Sequence, residues 1–390
     1  MNSPRPLRAA TAVVLPAVLV AVLAGATSAF GARIGPEPAA PAARAETNPV
    51  PFLAYYYIWY DRSSWDRAKS DLPLLGPYSS DDANVARQHV RWAKAAGITG
   101  FIVSWKDTPI LDRRLELLIQ VATEEDFKLA IIYQGLDFDR HPQPAARVAA
   151  DLRTFQQNYA SNPVFDIFGK PLVVFSGTWE FSEADVASIT TDLRSSLLIL
   201  ASEKNVAGYQ RIQQLVDGDA YYWSSVNPDT FPNYQGKLDE MATAIHARNG
   251  LWIAPAAPGY NGTLLGGTAV VDRKDGETLR AEVSAALKSS PDAVGLISWN
   301  EFSENSQIEP SNRYADRYLK VLSDINHLPA PPVDLLGSGD GEASPSGAPQ
   351  DSVPADIGRF IAVVLLVATI VIAPIVVARR SRRSRRDPGA

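Results

Sequence analysis

Cysteine is missing from the 390 residues, and histidine is nearly as scarce, with four copies. The first absence excludes disulfides and thiolate ligands, so stability has to come from an ordinary large core. The histidines, His89, His141, His246 and His327, form no HxH or HExxH pattern, which argues against a histidine-rich metal site. Positive charge is not in excess either. The formal net charge is −6, and the one dense basic cluster lies at the extreme C-terminus. Contacts to phosphates need a clustered basic surface, so nucleic acid is not an expected partner. A Gly-rich phosphate turn is also lacking after the first strand candidate, where the sequence reads IWYDRSSWD. No metal and no cofactor are expected.

The two ends of the chain carry membrane signals. Arg5 and Arg8 precede an apolar run, Ala9–Ala24, and small residues follow from Ala24 to Ala29, so residues 1–32 read as a signal peptide, with an uncleaved anchor helix as the alternative. Residues 33–50, rich in Ala and Pro, read as a linker. Near the other end Phe360–Ala378 is free of charge. It approaches the roughly 20 apolar residues that span a bilayer. Six arginines between Arg379 and Arg386 follow it, which places the C-terminus in the cytoplasm and everything before Arg359 outside. The expected order is therefore a folded domain at 51–328, a Pro/Gly/Ser/Asp stalk at 329–356, a transmembrane helix at 358–378 and a cytoplasmic basic tail at 379–390. The expected location is a cell membrane, crossed once, with the domain extracytoplasmic.

Within 51–328, short β-rich runs alternate with amphipathic helical ones. The strand candidates are Phe52–Trp59, Gly100–Trp105, Lys128–Gln134, Pro171–Gly177, Leu197–Glu203, Ala220–Ser224, Leu251–Ala256 and Ala293–Trp299. The first helical pattern, Asp82–Ala96, has Asp81 or Asp82 to cap it, Val85, His89, Trp92, Ala93 and Ala96 at helical spacing, and Gly97 to end it. The last runs from Asn312 to Ile325. Near-continuous apolar strands alternating with helices imply a parallel sheet covered on both faces, and eight such units suit a (β/α)8 TIM barrel of the α/β class. A doubly wound open sheet is the alternative.

In such a barrel the functional face lies at the C-terminal ends of the strands. Those ends offer Tyr57, Trp59, Trp105, Gln134, Trp223 and Tyr260, and Glu180 and Glu203 as further carboxylates. The last strand, in AVGLISWNEFSENSQIEP, releases Asn300, Glu301 and Glu304 where its apolar run stops. Aromatic faces suit the C–H patches of sugar rings, and carboxylates and amides suit their hydroxyls. Two carboxylates flanking one bond are what glycoside cleavage requires. Glu301 and Glu304 are the catalytic candidates, with a solvated pair, or one bridged to Lys106, Lys204 or Arg313, as the rival. Glu309 reads as an anchor for its own loop.

Three stretches resemble glycoside hydrolase family 99, the endo-α-mannosidases and endo-α-mannanases. They are YYYIWY at Tyr55–Tyr60, LGPYSSDDANVARQHVRWAKAAGITGFIVSW at Leu75–Trp105, and WNEFSENSQIEP at Trp299–Pro310, similar to the family's NEWHEGTQIEP. The resemblance implies a (β/α)8 barrel and retaining, metal-free cleavage of α-mannosidic linkages. It implies Glu304 as general acid/base, Glu301 as the residue assisting attack at the anomeric carbon through the sugar's 2-hydroxyl, and Asn300, Tyr57, Trp59 and Trp105 as substrate neighbours. The chain departs from the family where Phe302-Ser303 replaces Trp-His, Asn305-Ser306 replaces Gly-Thr, Lys106 replaces a second Trp and Gln134 replaces a glutamate. The expected activity is hydrolysis of an α-linked polysaccharide or glycan. A barrel that holds polysaccharide without cutting it, and a scaffold for a cell-envelope partner, remain open at this point.

Overall fold

Capping and periodicity set the first helix as the pattern implies. The computed structural model describes residues 50–137 and 139–332. In it Asp82 caps α1 (Ala83–Ala95) by accepting from the Asn84 N–H, while Asp81 binds Arg113 and Arg114 instead. Gly97 then turns the chain at φ 85°, and a Cβ there would lie 2.6 Å from the Asn326 amide. The remaining helices are α2 (Pro109–Glu124), α3 (Ala145–Asn158), α4 (Glu183–Thr190), α5 (Val206–Ile212), α6 (Tyr234–His246), α7 (Glu277–Lys288) and α8 (Arg317–Ile325).

Between them lie β1 (Phe52–Tyr57), β2 (Gly100–Trp105), β3 (Lys128–Gln134), β4 (Leu172–Ser176), β5 (Leu198–Ala201), β6 (Gly218–Asp219), β7 (Leu251–Ala256), the hairpin strands β8 (Tyr260–Asn261) and β9 (Val270–Val271), and β10 (Ala293–Leu296). Eight of these close a barrel in the order β1-β10-β7-β6-β5-β4-β3-β2, all neighbours parallel. The (β/α)8 expectation holds. Leu53, Tyr55, Ile102, Ala130, Ile132 and Ile253 fill the interior. Their alternates Phe52, Ala54, Tyr56, Phe101, Val103 and Leu129 pack outward in the larger core, with helical residues such as Leu115 and Leu118. Strand alternation therefore decides which end residues face the barrel axis.

Two expectations need correcting, and one element is new. The sixth strand is Gly218–Asp219, just ahead of Ala220–Ser224, and it pairs with Leu251 and Trp252 of β7. The last helix starts at Arg317 rather than Asn312, because Ser311 and Ala315 bridge in a turn with Ala315 at φ 48°. The hairpin Tyr260–Val271 was not foreseen, its paired strands being too short to show a period. No helix among the described residues is long and apolar enough to cross a membrane. The signal peptide, most of the linker and of the stalk, the transmembrane helix and the basic tail fall outside the described residues.

Candidate active site

The chain leaves β10 at the barrel mouth and folds back on itself as one buried loop. Ile297 N–H donates to Ala256 O and Trp299 N–H to Tyr55 O, each at 2.8 Å, which continues the barrel pairing beyond the strand. The Ile297–Ser298 peptide is cis. Asn305, at φ 52°, helps turn the loop, and Ser298 N–H meets Ser306 O at 2.9 Å. Glu309 N–H donates to Trp299 O at 2.8 Å, closing the return. Every residue from Ala293 to Ser311 is buried.

Polar groups in such a place must be paired. Asn300 Oδ1 accepts from Tyr57 N–H at 2.9 Å, and its Nδ2 donates to Tyr57 O at 3.0 Å and to the Tyr78 hydroxyl at 3.2 Å. The Tyr78 hydroxyl in turn donates to Glu309 Oε2 at 2.9 Å. Glu309 Oε1 lies 3.1 Å from His89 Nε2, whose Nδ1 is 3.0 Å from the Tyr56 hydroxyl. Asn300 and Glu309 thus tie the loop to β1 and α1, and both amide protons of Asn300 are spent on protein acceptors.

Glu301 and Glu304 are held differently. They are 2% and 1% exposed. Burial pushes the Glu301 carboxyl up to about 7, opposed by the Ser303 N–H, which donates to Oε1 at 3.0 Å, and by the ammonium of Lys69. Burial also holds the Glu304 carboxyl well above its ordinary range. The charge of Glu301 adds to this, and a hydrogen bond from Tyr222 opposes it. Glu304 Oε2 has no protein partner. Two buried carboxyls that feel one another do not both ionise, so one keeps its proton while the other loses it.

Aromatic side chains crowd the pair. The Tyr57 hydroxyl donates to that of Tyr222 at 2.9 Å, and the Tyr57 ring stacks on Trp59 with centroids 4.3 Å apart. Tyr260 feels both carboxylates, and its neighbour Asn261 donates its N–H to Glu304 O at 2.7 Å. Tyr57, Trp59, Tyr260, Glu301 and Glu304 therefore come together, as the strand-end reading expects.

A sequence model of glycosyl hydrolase family 99 matches residues 60–325. The chain belongs to this family. A mouse glycoprotein endo-alpha-1,2-mannosidase-like protein is 24% identical over 77% of this chain and 79% of its own. The rat glycoprotein endo-alpha-1,2-mannosidase is 23% identical over 63% of this chain and 57% of its own. Among solved structures, the GH99 endo-alpha-mannosidase of Bacteroides thetaiotaomicron shares the fold at a TM-score of 0.62, with 20% identity over 71% of this chain and 96% of that one. The protein is a glycoside hydrolase.

Not every residue marked in the sequence reaches this glycoside hydrolase's mouth. Trp105 ends β2 on the outer face, packs on Phe155 and Tyr159, and donates its indole N–H to Asp112 at 2.9 Å. Alternation brings Ser104 inward in its place. Trp223 stacks on Tyr234 of α6 at 5.2 Å, and the neighbour that reaches the carboxylates is Tyr222. Both substrate-contact expectations are off by one residue, since Ala220 and Tyr222 face the barrel interior while Tyr221 and Trp223 pack outward. Asn300 is likewise committed to the frame. Gln134 ends β3 half-buried, on the face of Ala130 and Ile132. Glu203 pairs with Arg211 at 3.1 Å, and Glu180 is exposed. Lys69 and Tyr78 were missed, because nothing in a loop sequence shows which carboxylate it will reach. Phe302, where the family has Trp, is fully buried with its ring 5.4 Å from Trp65.

Proposed function

We propose that the protein cleaves an α-linked, mannose-containing polysaccharide or glycan, with Glu304 as proton donor and Glu301 as the ionised partner. The observation that carries this reading is the placement of two carboxyls with different hydrogen-bond partners in one buried cluster of tyrosines. Glu304 is the better-held proton and has a free oxygen, Oε2, to present to the departing glycosidic oxygen. Glu301 loses its proton near neutrality and is oriented by the Ser303 N–H. As the C1–O bond breaks, the proton of Glu304 moves to the leaving oxygen. Glu301 takes the proton of the sugar's 2-hydroxyl, whose oxygen closes on C1. Water activated by the Glu304 carboxylate then opens that ring, the proton on Glu301 returns to the 2-oxygen, and two inversions at C1 give net retention. At 2% and 1% exposure the carboxyls are reached only when a neighbour shifts, and the Tyr260 hairpin and the loop carrying Lys69 border them.

We propose further that the domain works outside the cell, held by the apolar run Phe360–Ala378 with its arginines inside. The activity is tested by release of reducing ends from a panel of α-mannans and α-mannosyl oligosaccharides. Cleavage by the native protein that falls by about a hundredfold or more in Glu301→Gln and in Glu304→Gln supports the reading. Binding without cleavage across the panel contradicts it.

A further inference from the structure

A cavity of about 430 Å³ opens against the loop that carries the glutamates, with Tyr260, which feels both carboxylates, in its wall. Asn261, whose N–H binds Glu304 O, and Asn305, the residue after Glu304, form the side shared with the site. Its size is that of an ordinary small-ligand pocket. The lining is unusual for a chain of net charge −6, since Arg273, Lys274, Arg313 and Arg317 line it against two carboxylates, Asp272 and Asp275. Lys274 is bound to Asp229, and Arg317 to Asp275. Among the described residues, Arg273 and Arg313 have no ion pair.

Arg273 is the informative one. It is 4% exposed. Its guanidinium donates to Gln307 O and, at 3.4 Å, to Asn305 Oδ1, and it lies 4.3 Å and 4.0 Å from the ring centres of Tyr314 and Tyr318. Its Nε–H has no acceptor. Neutral acceptors and ring faces offset part of the cost of burying a cation, but they do not neutralise it. A planar guanidinium in a cavity wall, without a carboxylate partner, is a group that recognises carboxylate and phosphate. Arg313 stands beside it, exposed, 5.3 Å from the Tyr314 ring. A second gathering of cations flanks the mouth after β3 and β5. There Lys204 lies 4.2 Å over Trp179, close enough to Arg140 to feel its charge.

We propose that this cavity binds an anionic group, carboxylate or phosphate, carried on a sugar next to the bond that is cleaved. The substrate is then an acidic glycan. This rests on the glycosidase reading and narrows it. Arg273 and Arg313 hold the anion, and Tyr260 and Asn261 connect its sugar to the reacting one.

The test measures binding of mannose, mannose 6-phosphate and mannuronic acid to the full-length protein by calorimetry at low salt, alongside cleavage of neutral and phosphorylated mannans. At least one acidic probe should bind about tenfold or more tighter than mannose, the scale of a single charge-assisted hydrogen bond. The acidic probe that wins tells phosphate from carboxylate. Arg313→Gln, at an exposed position that leaves the core intact, should reduce that advantage several-fold, and Arg273→Gln should abolish it. Equal binding of all three probes overturns the proposal, as does an advantage that Arg313→Gln leaves intact. Where the phosphorylated probe wins, cleavage of neutral and phosphorylated mannan at equal rates also overturns it, while leaving the glycosidase reading in place. Charge-selective binding that depends on Arg313, with no glycan cleaved, supports the cavity's role and contradicts the glycosidase reading alone.

Discussion

Glu301 and Glu304 sit three positions apart in one loop, yet their surroundings give them different proton affinities. Glu301 has a backbone N–H and a nearby ammonium to stabilise its charge, whereas Glu304 has one hydroxyl and a negative neighbour. The consequence is a bell-shaped rate profile. Glu301 must be ionised, and its carboxyl titrates near 7, so kcat/KM should rise with pH through about 7. It should fall at higher pH as Glu304 loses its proton. In Glu301→Gln the small residual rate should lack the rising limb, as pH profiles of the two proteins will show. The pair itself was legible in the sequence, because two acidic residues released at the end of an apolar strand do not belong to a core. Tyr222 was not legible, since choosing it over Trp223 needs the strand's register. Lys69 comes from a loop whose path no pattern records.

At the scale of elements, the side chain of Asn300 acts as a piece of sheet. Its amide pairs with both the N–H and the C=O of Tyr57, closing β1 onto the loop after β10 where the backbone pairing stops. Asn300→Ala leaves those two buried backbone groups and the Tyr78 hydroxyl short of a partner. The expected loss is about 2–4 kcal/mol of stability, read as a lower denaturation midpoint with an unchanged slope in urea. Substrate affinity measured at a temperature where the variant is folded should change little, because the amide faces protein and not the pocket. Most strands and helices were readable because barrel strands are apolar on both faces and α1, α2, α4 and α5 carry side-chain caps. Elements that failed the reading are those whose pattern is too brief: β6, with two residues, the hairpin β8–β9, and the turn Ser311–Ala315 that delays α8.

For the whole molecule, the barrel delivers loops from every strand to one mouth, and the chain's charge is distributed unevenly about it. The overall excess is negative, while Lys69 lies near Glu301 and Arg273 binds Asn305 and Gln307 of the loop that carries the glutamates. Family membership was visible in three motifs, since those motifs are the frame itself: Asn300 donates to Tyr57 and to Tyr78, and Tyr78 donates to Glu309. The subsite walls were less visible, because an aromatic at a strand end faces sugar or helix according to a phase of one residue. The proposed anchor is tested by removing residues 358–390. The truncated protein should move from the membrane fraction to the soluble fraction of the cell envelope with its glycan cleavage intact. Retention in the membrane fraction would contradict the anchor.

The claim beneath all of this is that Glu304 gives its proton to the departing oxygen. Its most direct measurement compares Glu304→Gln with the native protein on two substrates: the natural glycan linkage, whose leaving group needs that proton, and an α-mannosyl oligosaccharide fluoride, whose leaving group does not. The account predicts a loss of roughly 10²–10⁴-fold in kcat on the first and a far smaller loss on the second. Equal losses on both substrates, or none on either, would contradict it.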